Sequence, residues 1–301
     1  MSNFADMTYK TMERRIKVRS YGDAQRIRFL GDIHLSSDNC DRDLLRRVAD
    51  RWRADNDNAI YCLMGDINDF ASFSERNILG GGLHESTQKT LDKLAAEQID
   101  EFVEMFDFII GKTAFVVEGN HKWSFVTEYP GATSDQVLAA KLGATWGGAL
   151  CHCRITYRSQ SKGKTACVVI AAHHGKAGGK RIGAAFNQIE DMAMVLDADV
   201  YAMGHNHRAD SLHGFERLGL KKARRPEQDV VEDIGCIAKA PLYVRTGSFL
   251  QAYPSGQASY VASRILPPAA LGAMEVEVEL RRVRTEGEDA IRPVLQGRII
   301  R

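Results

Sequence analysis

Arg26-Ile27-Arg28-Phe29-Leu30-Gly31-Asp32-Ile33-His34 is a short run with strand character that ends in a carboxylate and an imidazole. Four later stretches repeat the design, each a β-prone run halted by Asp, Asn or His, usually beside Gly. They are Ala59 to Met64 then Gly65-Asp66, Thr113 to Val117 then Gly119-Asn120-His121, Ala166 to Ala172 then His173-His174, and Asp199 to Met203 then Gly204-His205-Asn206-His207. In an open α/β sheet, ligands collect in the crevice outside the carboxyl ends of the strands. Five such endings, all rich in metal-ligand residue types, predict one polynuclear metal site.

The composition sets wide bounds. The 301 residues are 44% hydrophobic and 26% charged, which suits a chain that can bury a sizeable core. Lys plus Arg number 40 against 39 Asp plus Glu, so net charge gives no reason to expect a polyanion partner and any basic patch must be local. No long apolar leader opens the chain and nowhere do about eighteen apolar residues run together, so a cytoplasmic protein without membrane contact is expected. Its six cysteines are scattered without a C-x-x-C. Cys151-His152-Cys153 reads as an alternating strand and not as zinc, because no second pair follows at zinc spacing.

Residues 1–24 carry scattered charges and are expected to form an arm or an edge strand. Asp41 or Asp43 can cap a helix whose apolar face is Leu44, Leu45, Val48 and Trp52. Residues 72–85 contain Gly80-Gly81-Gly82 and read as a loop over or beside the site. Ser86 opens a long amphipathic helix with Leu91, Leu94, Ala95, Phe102, Val103, Phe106, Ile109 and Ile110 on one face. A short helix over 134–142 ends at Gly143, residues 149–172 suggest a hairpin, and a further helix spans about 182–196. Leu242 to Phe249 and Met274 to Val283 read as strands, with a polar insertion over 208–241 and the chain closing in strands over 242–301. The economical reading is one domain over 1–301, an α/β four-layer α/β/β/α sandwich of two mixed sheets flanked by helices.

Taken in order, the five stretches resemble the calcineurin-like metallophosphoesterase superfamily, whose pattern is D-x-H, G-D-x-x-D, G-N-H, a His after an apolar strand, and G-H-x-H. All five are intact here, the second as Gly65-Asp66-Ile67-Asn68-Asp69. The resemblance implies that Asp32, His34 and His207 hold one ion, that Asn120, His205 and one of the His173-His174 pair hold the other, and that Asp66 bridges them. It favours His173, the first His after the strand, with His174 as the alternative. It also implies His121 as the proton donor to the leaving oxygen, Asp69 as the carboxylate that orients a ligand or that His, and a bridging hydroxide as nucleophile. Mixed oxygen and nitrogen donors suit two divalent transition-metal ions, with Mn²⁺ expected first and Fe, Zn, Co or Ni as alternatives. His84, His152 and His213 read as ordinary surface or core groups.

The substrate class is read from departures. Protein-phosphatase relatives carry Asp-Arg-Gly and G-N-H-E, whereas this chain has Asp69-Phe70-Ala71 and Lys122 after His121. Losing that Arg removes a bidentate grip on a terminal phosphate, which favours diesters: cyclic nucleotides, nucleic acid or small organic diesters. Lys176, Lys180 and Arg181, in the Gly-rich stretch after the His pair, are candidate substrate-binding residues, against the plainer reading of a loop before a helix. Arg217 with Lys221-Lys222-Ala223-Arg224-Arg225 reads as a solvated insertion, with contact to nucleic acid as the alternative. A phosphomonoesterase or protein phosphatase, and a non-catalytic nucleic-acid or protein-binding module on the same fold, are the competing readings.

Overall fold

The structure, a computed structural model, describes residues 9–70, 83–159, 165–176, 182–220, 236–253, 268–285 and 288–301. In chain order the first strands are β1 (Tyr9–Val18), β2 (Gln25–Leu30), β3 (Ala59–Leu63), β4 (Thr113–Val117), β5 (Thr145–Gly148), β6 (Leu150–Ser159) and β7 (Thr165–His173). They are followed by β8 (Val200–Met203), β9 (Ala209–His213), β10 (Arg217–Leu220), β11 (Cys236–Lys239), β12 (Leu242–Ser248), β13 (Gly272–Thr285) and β14 (Glu288–Ile300). The helices among the described residues are α1 (Arg42–Ala54), α2 (Glu85–Met105), α3 (Ser134–Lys141) and α4 (Ile182–Val195). None is long and apolar enough to cross a membrane.

Two sheets face each other. One runs β14-β13-β2-β3-β4-β5, with β2 to β5 parallel; the other runs β1-β6-β7-β8-β12-β9, with β7, β8 and β12 parallel. They meet where β12 pairs with β13 at Gly247 and Ser248. That junction needs glycine, because a Cβ on Gly247 would sit 2.1 Å from the Gly272 carbonyl oxygen. Between the sheets lies a core that includes Ile27, Phe29, Cys62, Phe115, Ile155, Val168 and Val244. Outside the first sheet, Leu45, Trp52, Phe102 and Leu138 bring α1, α2 and α3 onto Tyr61, Leu63 and Val116. Outside the second, Phe186, Ile189 and Met192 of α4 cover Ala171, Tyr201 and Tyr243. The result is the expected α/β/β/α layering.

Local chemistry explains the elements. The strands β3, β4 and β8 are buried along their whole length, so they read as unbroken apolar runs. Asp41 caps α1 by accepting the Leu44 N–H at 2.9 Å, and a Thr133–Gln136 capping box opens α3. Residues 9–18 are the edge strand allowed for in the sequence. Cys151 and Cys153 point into the inter-sheet core, while His152 faces the other way, 2.9 Å from both Tyr9 Oη and the Asp197 carbonyl oxygen. The alternating-strand reading of that triplet therefore holds over zinc.

Some expectations need correction. Leu94 is 49% exposed within α2, and Ile110 is 47% exposed because α2 ends at Met105 and a 3₁₀ turn over Asp107–Ile109 breaks the helical period. The polar insertion over 208–241 holds strands: β9 lies antiparallel on β12, and β10 pairs β11. Residues 71–82, Lys180, Arg181 and 221–235 lie outside the described residues, and with them most of the Gly-rich loop, two candidate substrate contacts and the basic run.

Candidate metal centre

The ends of β2, β3, β4, β7 and β8 converge on one edge of the sandwich. The first two loops are laced by backbone hydrogen bonds: Asp32 N–H to the Gly65 carbonyl at 3.0 Å, and Ile33 and His34 N–H to the Asp66 carbonyl at 2.9 and 3.0 Å. Five donor-bearing residues adopt left-handed backbone: Asp32 (φ 48), His34 (φ 52), Asp66 (φ 50), His205 (φ 63) and His207 (φ 56). L-residues rarely take that conformation, and it clusters at functional sites. Gly119 is demanded by proximity, since a Cβ there would lie 2.3 Å from both the backbone N and Oδ1 of Asp66.

The donors form overlapping groups. Asp32, Asp66, His174 and His205 place ligand atoms within 4.8 Å of one another, and so do Asp32, His34 and His207. The second group is the first ion's set implied by the resemblance. Asp32 belongs to both groups, the place the resemblance gives to Asp66. Asn120 Oδ1 lies 2.8 Å from His174 Nε2, which in turn is 3.1 Å from Asp66 Oδ2.

His174, not the favoured His173, enters this cluster. Along β7 the inward side chains are Ala166, Val168, Ile170 and Ala172, in phase with His174. His173 is out of phase, and its Nδ1 accepts the Gly175 N–H at 2.7 Å. His174 Nδ1 donates to the Met64 carbonyl at 2.7 Å, which aims Nε2 at the carboxylates.

The residues present fit divalent cations. Asp32 Oδ1 and His34 Nε2 are buried without a hydrogen-bond partner among the described residues, an arrangement that costs stability unless something fills it. Burial, followed by neighbouring imidazoles, brings the His205 and His207 pKa values down to about 4 and about 3, so both offer lone pairs at neutral pH. Burial also disfavours charge on Asp66, but His174 outweighs it and holds Asp66 below the usual carboxylate range. His174 itself resists burial through Asp66 and is pushed up to about 10. The pocket calls for positive charge between its acids. Burial, opposed by His174 and reinforced by Asp66, raises Asp32 to about 6.

At the rim, Asp69 Oδ1 accepts from His121 Nδ1 at 2.5 Å, while Asp69 Oδ2 lies 3.4 Å from His34 Nδ1. One carboxylate thus faces both the donor His34 and the candidate acid His121. The His121 and His34 rings meet edge to face at 4.9 Å. Burial would lower the His121 pKa, but Asp69 and Asp66 together raise it. Lys176 is exposed on the loop after His174.

Two supporting acids were not singled out in the sequence. Asp135, buried in the first turn of α3, accepts the Gly119 N–H at 2.9 Å and so holds the loop of Asn120 and His121. Asp92 of α2 accepts from Trp123 Nε1 at 2.8 Å, Val126 N–H at 2.9 Å and Thr127 N–H at 2.6 Å, fixing the chain just beyond. The Thr133-x-x-Gln136 spacing marks the turn that presents Asp135; nothing comparable marks Asp92.

The family model described as calcineurin-like phosphoesterase matches residues 25–209, from the start of β2 to the start of β9. The chain belongs to that family. As a calcineurin-like phosphoesterase it is matched to a chemistry, the metal-dependent hydrolysis of phosphoesters. Similar solved structures include the calcineurin-like phosphoesterase YfkN from Bacillus subtilis, at 12% identity over 92% of this chain and 90% of that one, with a TM-score of 0.40. Vps29 from Entamoeba histolytica complexed with Zn²⁺ matches at 11% identity over 90% and 99%, with a TM-score of 0.36. A metallophosphoesterase from Sphaerobacter thermophilus matches at 11% identity over 85% and 84%, with a TM-score of 0.32. Among curated proteins, none matches the chain.

Proposed function

We propose that this phosphoesterase hydrolyses phosphodiesters. Asp32, His34 and His207 would hold one divalent cation, and Asn120, His174 and His205 the other, with Asp66 shared and Asp32 the alternative bridge. Such a pair, Mn²⁺ first, would supply an activated water at neutral pH and neutralise charge on the phosphoryl oxygens.

The chain's own residues supply orientation and a proton. Asp69 fixes His121 through Nδ1 and leaves Nε2 facing outward from that bond, where it can protonate a departing alkoxide. The observation that carries the diester preference is residue 70. Where protein-phosphatase relatives carry Arg, Phe70 packs, partly buried, against the helix-side core. No guanidinium stands at that position to pair with a dianionic terminal phosphate, whereas a diester presents a single charge and a poor leaving group that needs a proton. Lys176 supplies charge at the rim for the rest of the substrate.

The test compares bis(p-nitrophenyl) phosphate with p-nitrophenyl phosphate on the Mn²⁺-loaded protein. The diester is expected to win by about tenfold or more in kcat/KM, a difference of about 1.4 kcal/mol in transition-state binding. EDTA should abolish the activity and Mn²⁺ restore it. A monoester preference of that size overturns the proposal.

A further inference from the structure

We propose that the outer face of β1 and β6 binds the phosphate backbone of duplex nucleic acid. Met12 and Ile16 of β1 pack onto the inter-sheet core, so the alternate residues Glu13, Arg15 and Lys17 face outward. On β6 the inward residues are Cys153, Ile155 and Tyr157, which leaves Arg154 and Arg158 on the same outer face. No described helix covers its Lys17–Arg158 end: α4 packs on Ala171, Tyr201 and Tyr243, farther across the sheet, and its cluster reaches β6 at Leu150, the opposite end of that strand. The face presents four cations, Arg15, Lys17, Arg154 and Arg158, against one carboxylate, Glu13.

That carboxylate is already engaged. Glu13 accepts from Arg15 Nε at 3.0 Å and from Thr156 Oγ1 at 2.8 Å, and it stands opposite Arg154 in the register. Lys17 is paired in register with Arg158, both exposed, and neither has a carboxylate partner among the described residues. Like charges side by side on adjacent strands destabilise a sheet. An external polyanion removes that repulsion, and strands about 4.8 Å apart set the cations as a flat, closely spaced field suited to a dense line of phosphates.

Base recognition is not built in. Tyr9 and His152, at the upper end of the face, are hydrogen-bonded to each other at 2.9 Å and so committed. With no free aromatic side chain to stack on unpaired bases among its described residues, the face fits a duplex backbone rather than a single strand, and it binds without regard to sequence. Whether the metal centre cuts such a polymer rests on the diester reading above; the binding surface does not.

The experiment measures anisotropy of a fluorescent DNA duplex with the full chain in EDTA, so that binding is read apart from turnover. Wild type should bind at about 50 mM salt and weaken steeply toward about 200 mM. The double variant Lys17→Gln/Arg158→Gln should reduce the slope of log affinity against log salt by about 2, at about 0.9 per lost phosphate contact. Lys17→Glu/Arg158→Glu should bind at least about tenfold more weakly. Thermal melting confirms the fold, and the Gln pair decides if the Glu pair does not fold. The proposal is overturned if wild type does not bind the duplex, if the folded double variants bind as wild type does, or if anionic vesicles or single strands are preferred. It is equally overturned if binding is lost only on substituting Lys221, Lys222, Arg224 and Arg225 by Ala.

Discussion

The floor and the rim of the metal centre are made differently. On the floor, Asp32, Asp66 and His174 are buried and held by backbone: His205 N–H on Asp32 Oδ2 at 2.7 Å, His121 N–H on Asp66 Oδ1 at 2.9 Å, and the Met64 carbonyl on His174. On the rim, His121 is partly exposed and is steered by one carboxylate, that of Asp69. The floor fixes charge in place, whereas the rim leaves a proton free to move. On the proposed mechanism, holding and transferring fall to different residues within one cluster.

The sharpest way to break this division is on the floor. Asp66→Ala should empty the site, with metal content by mass spectrometry and diester turnover both falling to background; two retained ions would show that Asp66 is not the shared donor. His174→Ala should also lose metal, and His173→Ala should not. On the rim, His121→Ala should keep its metal yet lose about 10²–10⁴ in rate on alkyl leaving groups, and far less on p-nitrophenolate. An equal loss across leaving groups would remove the proton-donor role.

The smallest effect concerns the support behind the rim. Burial would raise the Asp92 pKa, but hydrogen bonds from Thr127, Trp123 and Val126 overcome it and bring the value down to about 2. A carboxylate held below its ordinary value of 3.8 stabilises the fold above that value, and the contribution fades as pH falls through about 2. Asp92→Asn should therefore cost about 2 kcal/mol at neutral pH. The gap in Tm between it and wild type should close between pH 4 and pH 2. A gap independent of pH would mean that shape, not charge, holds the loop.

What could be read in the sequence follows from what decided each position. The donor-bearing loops were legible because each places a ligand type directly after a buried strand, where the chain must turn. Between His173 and His174, side-chain alternation along β7 puts His174 with the carboxylates and His173 out of phase, which family habit alone does not reveal. The strands β5 and β9 escaped notice, and β14 was expected only within the general run of strands over 242–301, for a shared reason. Thr145-Trp146-Gly147-Gly148, the polar Ala209 to His213, and a stretch containing Pro293 and Gly297 have little strand character of their own. They are strands because neighbours with matching register offer them backbone partners, as β13 does for β14 along its length. Asp92 was hidden because, apart from Gln88 four residues before it, the carboxylate's partners lie more than thirty residues downstream, beyond any local pattern.

The left-handed backbone at Asp32, His34, Asp66, His205 and His207 has one more consequence. Each such residue costs about 1–2 kcal/mol relative to ordinary backbone, and that cost falls on folding instead of on ion capture. A cation arriving from solvent meets side chains already aimed, so it has little conformational searching to impose and can exchange without remodelling the loops. Glycine at any of the five would relax the chain and forfeit the donor together, which ties the awkward backbone to the chemistry it serves.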